Sequence, residues 1–237
     1  MKLNSAFAAV WICLAVLVPT HVLAVDLSTP ESTVEAYIAA VASRDFNAVL
    51  ATTATDQAAE NFNFVAMVER LGVLTAFIGA PSTDPFFVAI NRGKSVGQIS
   101  QQLQMFIYGL MTTNGVAEGQ TVKMDAGEAQ DFVDVLRLER LNGLKLEKVA
   151  IPDPSTMNGE RYQLLMTKMA KPYGGDAATE RVALVSFEGL DFLIGFTLIE
   201  FKGEWRVLRQ DSGLSGLGSL GAPKRLTREE FDQFMNK

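Results

Sequence analysis

The groups that could move a proton in this chain near neutral pH are its carboxylates and its tyrosines. A single histidine, His21, and a single cysteine, Cys13, both fall within the first 24 of 237 residues. Those residues read as a segment removed from the working protein, which then has neither imidazole nor thiol. The sequence therefore excludes Ser-His-Asp and Cys-His nucleophiles, thiol redox chemistry, disulfides and zinc sites built from histidine or thiolate. An isomerase- or lyase-like site would need one desolvated carboxylate and one or two donors to an oxyanion. Tyr37, Tyr108 and Tyr162 suit the donor role, and Asp191 and Asp211 are acids at a turn and a strand end. Arg161, Arg181, Arg206 and Arg209 lie in strand-like stretches, but no spacing selects an Asp-Arg-Asp trio. No constellation singles out a catalytic residue, so none is assigned. No spacing of acids matches a calcium loop, so neither a metal nor a cofactor is expected.

The leading segment has the layout of a secretory signal. Lys2 supplies the positive start, Ala6 to Val18 carries no charge, Pro19 breaks the helix, and Val22-Leu23-Ala24 fits cleavage after Ala24. Thirteen residues extend about 20 Å as a helix, short of a hydrocarbon core of about 30 Å. Secretion or a periplasmic location is the expectation. Loss of Lys2 takes the 21 basic residues to 20, against 27 acidic. An acidic chain with no basic run repels phosphate backbones, so nucleic acid is not an expected partner.

The elements that must position these side chains begin with helices. Ser28-Thr29-Pro30-Glu31 is a helix start, and Val34, Tyr37, Ile38 and Val41 share one face. A short junction at Ser43-Arg44-Asp45 leads to a second helix over Phe46 to Thr53. A longer helix is predicted from Asn61 to Gly79, with Phe64, Met67, Val68, Leu71, Leu74 and Ile78 inward, then a proline loop over Ala80 to Pro85. Another helix is expected over Ser95 to Thr112. The next starts at Asp125, with Glu128 placed for a capping box, and runs to about Leu141, burying Phe132, Val133 and Leu136.

Beyond Asn142-Gly143 the apolar period changes from 3.6 to 2. Strands are predicted over Leu144 to Ile151, Arg161 to Ala170, Arg181 to Phe187, Phe192 to Phe201 and Glu204 to Gln210. Lys202-Gly203 forms the last hairpin turn. The third and fourth strands are apolar on both faces, so one face must meet the helices and the other more of this chain or a second copy. Ser212 to Pro223, with four glycines, reads as a flexible linker, and Thr227 to Glu230 opens a short last helix. The domain layout is thus a cleaved signal over 1–24, a core domain over 25–211, and a linker with a short helix over 212–237.

Two segments carry a family likeness. Thr29 to Tyr37 with Ala39 to Phe46 has a proline-acid start, an aromatic and an Arg-Asp junction. Phe196 to Val207 has Gly203-Glu204-Trp205 at its turn exit. In this the chain resembles the nuclear transport factor 2-like superfamily. The resemblance implies an α+β fold of N-terminal helices packed on a curved antiparallel, cone-like sheet, here with an enlarged helical section over residues 60–142. It also implies a concave pocket between sheet and helices, with homodimers through the outer sheet face. Its members range from small-molecule enzymes to non-catalytic binding modules, so fold does not settle function.

The expectation is an exported, non-catalytic binding or interaction module whose apolar pocket takes a small hydrophobic or lipid-like molecule, or whose partner is an envelope protein. The alternative is a carboxylate- and tyrosine-dependent isomerase or lyase acting on a small hydrophobic substrate. Tyr37, Tyr108, Tyr162 and Trp205 are the candidate pocket residues; for Tyr37 and Trp205 packing in the core is the competing role. Met105 to Met111 is apolar nearly all round its helix, and Phe86 to Ile90 is similar. Such stretches are either enclosed or touch a lipid-like ligand, a membrane surface or a partner. Lys224, Arg225 and Arg228 are a small basic cluster suited to solvation or a weak anion contact.

Overall fold

A computed structural model describes residues 25–235, so the signal-peptide reading of residues 1–24 falls outside the described residues. The helices are α1 (Pro30–Ala42), α2 (Phe46–Ala51), α3 (Thr55–Glu60), α4 (Phe64–Leu71), α5 (Pro85–Met111), α6 (Ala126–Val135), α7 (Pro154–Met157), α8 (Glu160–Ala170) and α9 (Arg228–Met235). The strands are β1 (Lys145–Ala150), β2 (Ala177–Phe187), β3 (Leu190–Phe201), β4 (Glu204–Arg209) and β5 (Lys224–Leu226). The fold is α+β, a curved antiparallel sheet ordered β1-β2-β3-β4 with helices against it. β5 joins β3 at the end away from β4.

Local chemistry accounts for much of this. Thr29 Oγ1 accepts from Ser32 N and Ser32 Oγ accepts from Thr29 N, a reciprocal cap at 3.0 and 3.2 Å, with Pro30 fixing the first turn of α1. Asp45 caps α2 and Asp125 caps α6, the latter with Glu128 closing the box. Both long hairpins turn on two residues with positive φ, Glu188-Gly189 and Lys202-Gly203, the mirror-image turns that match strand twist.

Alternation on the central strands divides the core. Ala183 and Val185 of β2 with Ile194, Phe196 and Leu198 of β3 face α1 and the buried side of α5. Val182, Leu184 and Leu193 face the other way, onto Leu217, Leu226 of β5 and Phe231 of α9. Farther along, Ala178, Ile199 and Phe201 meet Tyr162, Met166 and Ala170 of α8. The second sheet face is therefore covered by the same chain, which explains why β2 and β3 are apolar on both faces.

Several expectations are corrected. Arg161 to Ala170 is helix α8, not a strand: Tyr162, Met166 and Ala170 recur every fourth residue on its buried side, while Leu164 and Leu165 are exposed. The helix expected over Asn61 to Gly79 stops at Leu71, because Gly72 takes φ +68° and its N–H caps Val68 O at 2.8 Å. Leu74 is consequently exposed. Conversely, α5 starts ten residues earlier than Ser95, at Pro85, because Asp84 Oδ1 accepts from Phe86 N and proline suits the first helical position. α6 ends at Val135 and buries no side chain; Val133 is 59% exposed. The glycine-rich stretch from Ser212 to Pro223 is not a loose tether. Ser212 is fully buried, Leu217 enters the core, and Gly221 abuts the backbone of Gln102 so closely that a Cβ there would lie 2.8 Å from its Cα.

Candidate ligand-binding cleft

The exposed loop between α4 and α5 is pinned by three polar side chains. Asn91, buried on the second turn of α5, accepts from Ala80 N and donates to Ala80 O, both at 2.8 Å. Ser82 Oγ donates to Ala59 O at 2.7 Å, tying the loop to α3. Lys94 Nζ donates to Phe77 O at 3.1 Å. Gly79 lets the backbone pass close to Phe62, whose ring would lie 3.0 Å from a Cβ there. The loop is thus held as a wall opposite α5 rather than collapsed onto it.

Between them is a cleft of about 540 Å³. Phe62, Met67, Leu71 and Ile78 form its apolar side, with Tyr173 and Leu208 also lining it and the exposed Phe77 at its rim. Asn91, Lys94, Gln98, Gln101 and Arg209 supply the polar groups, and no carboxylate is among the lining residues. Arg209 is fixed from behind by Asp211, Nε to Oδ2 at 3.1 Å, while Asp211 Oδ1 accepts from Thr197 Oγ1 at 2.6 Å. A pocket with greasy walls and a few convergent polar groups is the usual form of a small-molecule site. At its lining Lys94 has no carboxylate partner among the described residues, Arg209 is already paired with Asp211, and no acid is present to act as a base.

The four candidate residues named from sequence do not line this cleft, and the structure does not gather them. Tyr37 is fully buried; its hydroxyl donates to Gln210 Oε1 at 2.9 Å and its ring meets Phe196 edge-on at 5.3 Å. Trp205 is half-buried at the border of the same core, where its carbonyl accepts from Thr33 Oγ1. Tyr108 lies on the outer side of α5, against Phe132 and hydrogen-bonded by Gln104. Tyr162 is on the opposite sheet face, on the buried side of α8. The pocket expected between the first helix and the sheet is instead filled by side chains, because Tyr37, Ile99, Phe106 and Phe196 meet there with almost no exposure. Met105 to Met111 is largely enclosed by the same packing.

The buried acids are engaged in local hydrogen bonds and ion pairs. The Glu180 carboxylate accepts from Ser212 Oγ and from Leu214 N, closing the glycine-rich turn. Burial pushes the Tyr37 hydroxyl well above the ordinary tyrosine range, and burial with the Glu180 charge does the same to Tyr162. Both phenols are poor acids. Asp191 pairs with Arg228, which also reaches Asp232, so most of the basic cluster is neutralised locally; Lys224 meets Glu230. No group of three or more metal-ligating side chains occurs among the described residues.

The sequence signal for the cleft was Gly72 following Arg70-Leu71, a helix stop that strands the next apolar residues outside the core. The clamp by Asn91 had no such signal, since it depends on a segment eleven residues away.

Among solved structures, the chain is similar to a cystatin-like protein from Ruminococcus gnavus ATCC 29149, with a TM-score of 0.56 and 19% identity. The alignment covers 88% of this chain and 43% of that one, so this chain spans less than half of its length. At that identity the likeness carries the fold alone, a cone-type α+β architecture. No protein-family model and no curated protein matches the sequence.

Proposed function

We propose that this protein is a non-catalytic binding module that takes a small hydrophobic or lipid-like molecule, acting after export in the periplasm or outside the cell. Within cone-type folds, the opening Arg-Asp junction and the Gly-Glu-Trp turn favour a relation to the nuclear transport factor 2-like group. The observation that carries the binding reading is the clamped cleft, lined by apolar Phe62, Met67, Leu71 and Ile78 together with Lys94 and Arg209. Its site differs from the one expected, lying between the α4–α5 loop and α5 instead of under α1. Lys94, which has no carboxylate partner among the described residues, suits a ligand with an apolar body and a negatively charged head. Nothing in the cleft favours the isomerase or lyase alternative, since its lining supplies no carboxylate.

The test is titration of detergent-free protein with a fluorescent long-chain fatty acid. Saturable uptake is expected, and it should weaken strongly in Leu71→Asp and Ile78→Asp, which place an acid against the tail. Absence of uptake by the unaltered protein would sink the ligand reading. Uptake indifferent to both substitutions would remove it from this cleft.

A further inference from the structure

The segment from Leu71 to Thr83 contains no charged residue, and it leads into Pro85-Phe86-Phe87-Val88-Ala89-Ile90 after the lone acid Asp84. Its apolar side chains are not hidden. Phe77 is 90% exposed, Phe86 71% and Leu74 70%, with Val65 and Val73 also outside the core. On α5, Phe86 and Ile90 are one turn apart, and Phe87 shares a side with the clamp residues Asn91 and Lys94. The bond from Lys94 to Phe77 O fixes the loop beside that helix surface. Large apolar side chains concentrated this way are not ordinary surface scatter.

The charges around them decide what covers the face. Of the acids near it, Asp84 caps α5, Asp56 pairs with Arg92 and Glu69 pairs with Lys171, while Glu60 at the end of α3 is exposed. Arg70 makes no ion pair among the described residues and is exposed, and Lys94 spends its visible bond on a neutral carbonyl. An uncharged apolar projection bordered by unneutralised cations is the pattern that inserts at a headgroup boundary, with tails receiving the aromatics and anionic headgroups the cations. No helix among the described residues is long and apolar enough to cross a membrane.

We infer that the α4–α5 loop and the start of α5 dock this protein on an anionic bilayer surface. This goes beyond uptake of a ligand and does not depend on it, because Leu74 and Phe86 are not lining residues of the cleft. Co-sedimentation with vesicles of phosphatidylcholine alone and of phosphatidylcholine with phosphatidylglycerol tests it. The unaltered protein is expected to bind the anionic vesicles better. Leu74→Ser combined with Phe86→Ser should weaken that binding roughly tenfold or more, while fatty-acid uptake in vesicle-free buffer stays unchanged. Arg70→Gln should lower the preference for anionic vesicles roughly fivefold. Residues 1–24 are the same in every variant, so a difference between variants reads the loop and the start of α5 and not that segment. No vesicle binding, equal binding to both compositions, or equal binding by the double-serine variant overturns the inference. So does a dimer in sedimentation velocity that the double-serine variant dissociates while vesicle binding stays intact, which would assign the face to a second copy.

Discussion

The Tyr37 hydroxyl donates to Gln210 Oε1 at 2.9 Å, joining the first helix to the residue just beyond β4 in the middle of the core. Gln210 is satisfied on both sides, since its Nε2 donates to Gly221 O and its backbone N–H to Gln102 Oε1. The glycine-rich segment, α1, α5 and the sheet end are thus held by one buried amide network. A network of this kind is stabilising only when complete.

Tyr37→Phe removes the donor and leaves Gln210 Oε1 buried without a partner. A loss of about 1–3 kcal/mol is expected. Tyr37→Ala adds a cavity, and about 3–5 kcal/mol is expected. Urea denaturation of both variants checks the order; a neutral Tyr37→Phe would mean the bond contributes nothing net.

Alkaline pH should unfold the protein in a specific way. Tyr37 and Tyr162 have their hydroxyls raised by burial, so the folded chain holds protons that the unfolded chain releases above about pH 10. Stability is complete below that value and falls as pH climbs toward the raised folded values. Phenolate absorbance from these two residues should therefore grow together with loss of helical circular dichroism. Ionisation of either in the folded protein, seen in single Tyr→Phe variants, would contradict it.

Glycines of α5 should respond oppositely to alanine. At Gly109 an added Cβ would stand 2.4 Å from Pro223 Cδ, so the returning chain must shift, and Gly109→Ala should cost about 1–3 kcal/mol. At Gly93 and Gly97 nothing lies within 4 Å, and alanine should stabilise the helix by about 0.5–1 kcal/mol. Thermal melts of the three variants suffice. A stabilised Gly109→Ala would show that α5 and Pro223 are not in contact.

Asn91→Ala should free the cleft wall. It removes two hydrogen bonds to the half-buried Ala80 backbone, a cost of about 1–2 kcal/mol. Faster hydrogen exchange is expected at Ala80 N. Exchange unchanged there would show that Ser82 and Lys94 hold the loop unaided.

Glu180→Ala should loosen the turn from Ser212 to Ser215, since the carboxylate accepts from Ser212 Oγ and Leu214 N. Bonds to a charged acceptor contribute about 1.5–3 kcal/mol each. Exchange at Leu214 N should accelerate while exchange in β1 does not. Equal acceleration in both would indicate global unfolding instead.

What the sequence determined by itself was whatever is encoded within a few neighbouring residues. Thr29 to Ser32 starts α1, Asp125 with Glu128 starts α6, Lys202-Gly203 turns the last hairpin, and the two-sided apolar strands require cover on both faces. The order of helices and strands leading to an α+β fold follows from those signals. Tertiary structure alone decided what covers the second sheet face, because α8, β5 and α9 reach it from distant parts of the chain. It also decided where a cleft is left. A tyrosine at helical spacing reads the same whether it lines a pocket or plugs one, and Tyr37 plugs it because Phe196 and Gln210 converge on it from residues more than 150 positions away. Phe77, in contrast, stays in solvent because Gly72 ends its helix early and Asn91 holds the loop clear of the core.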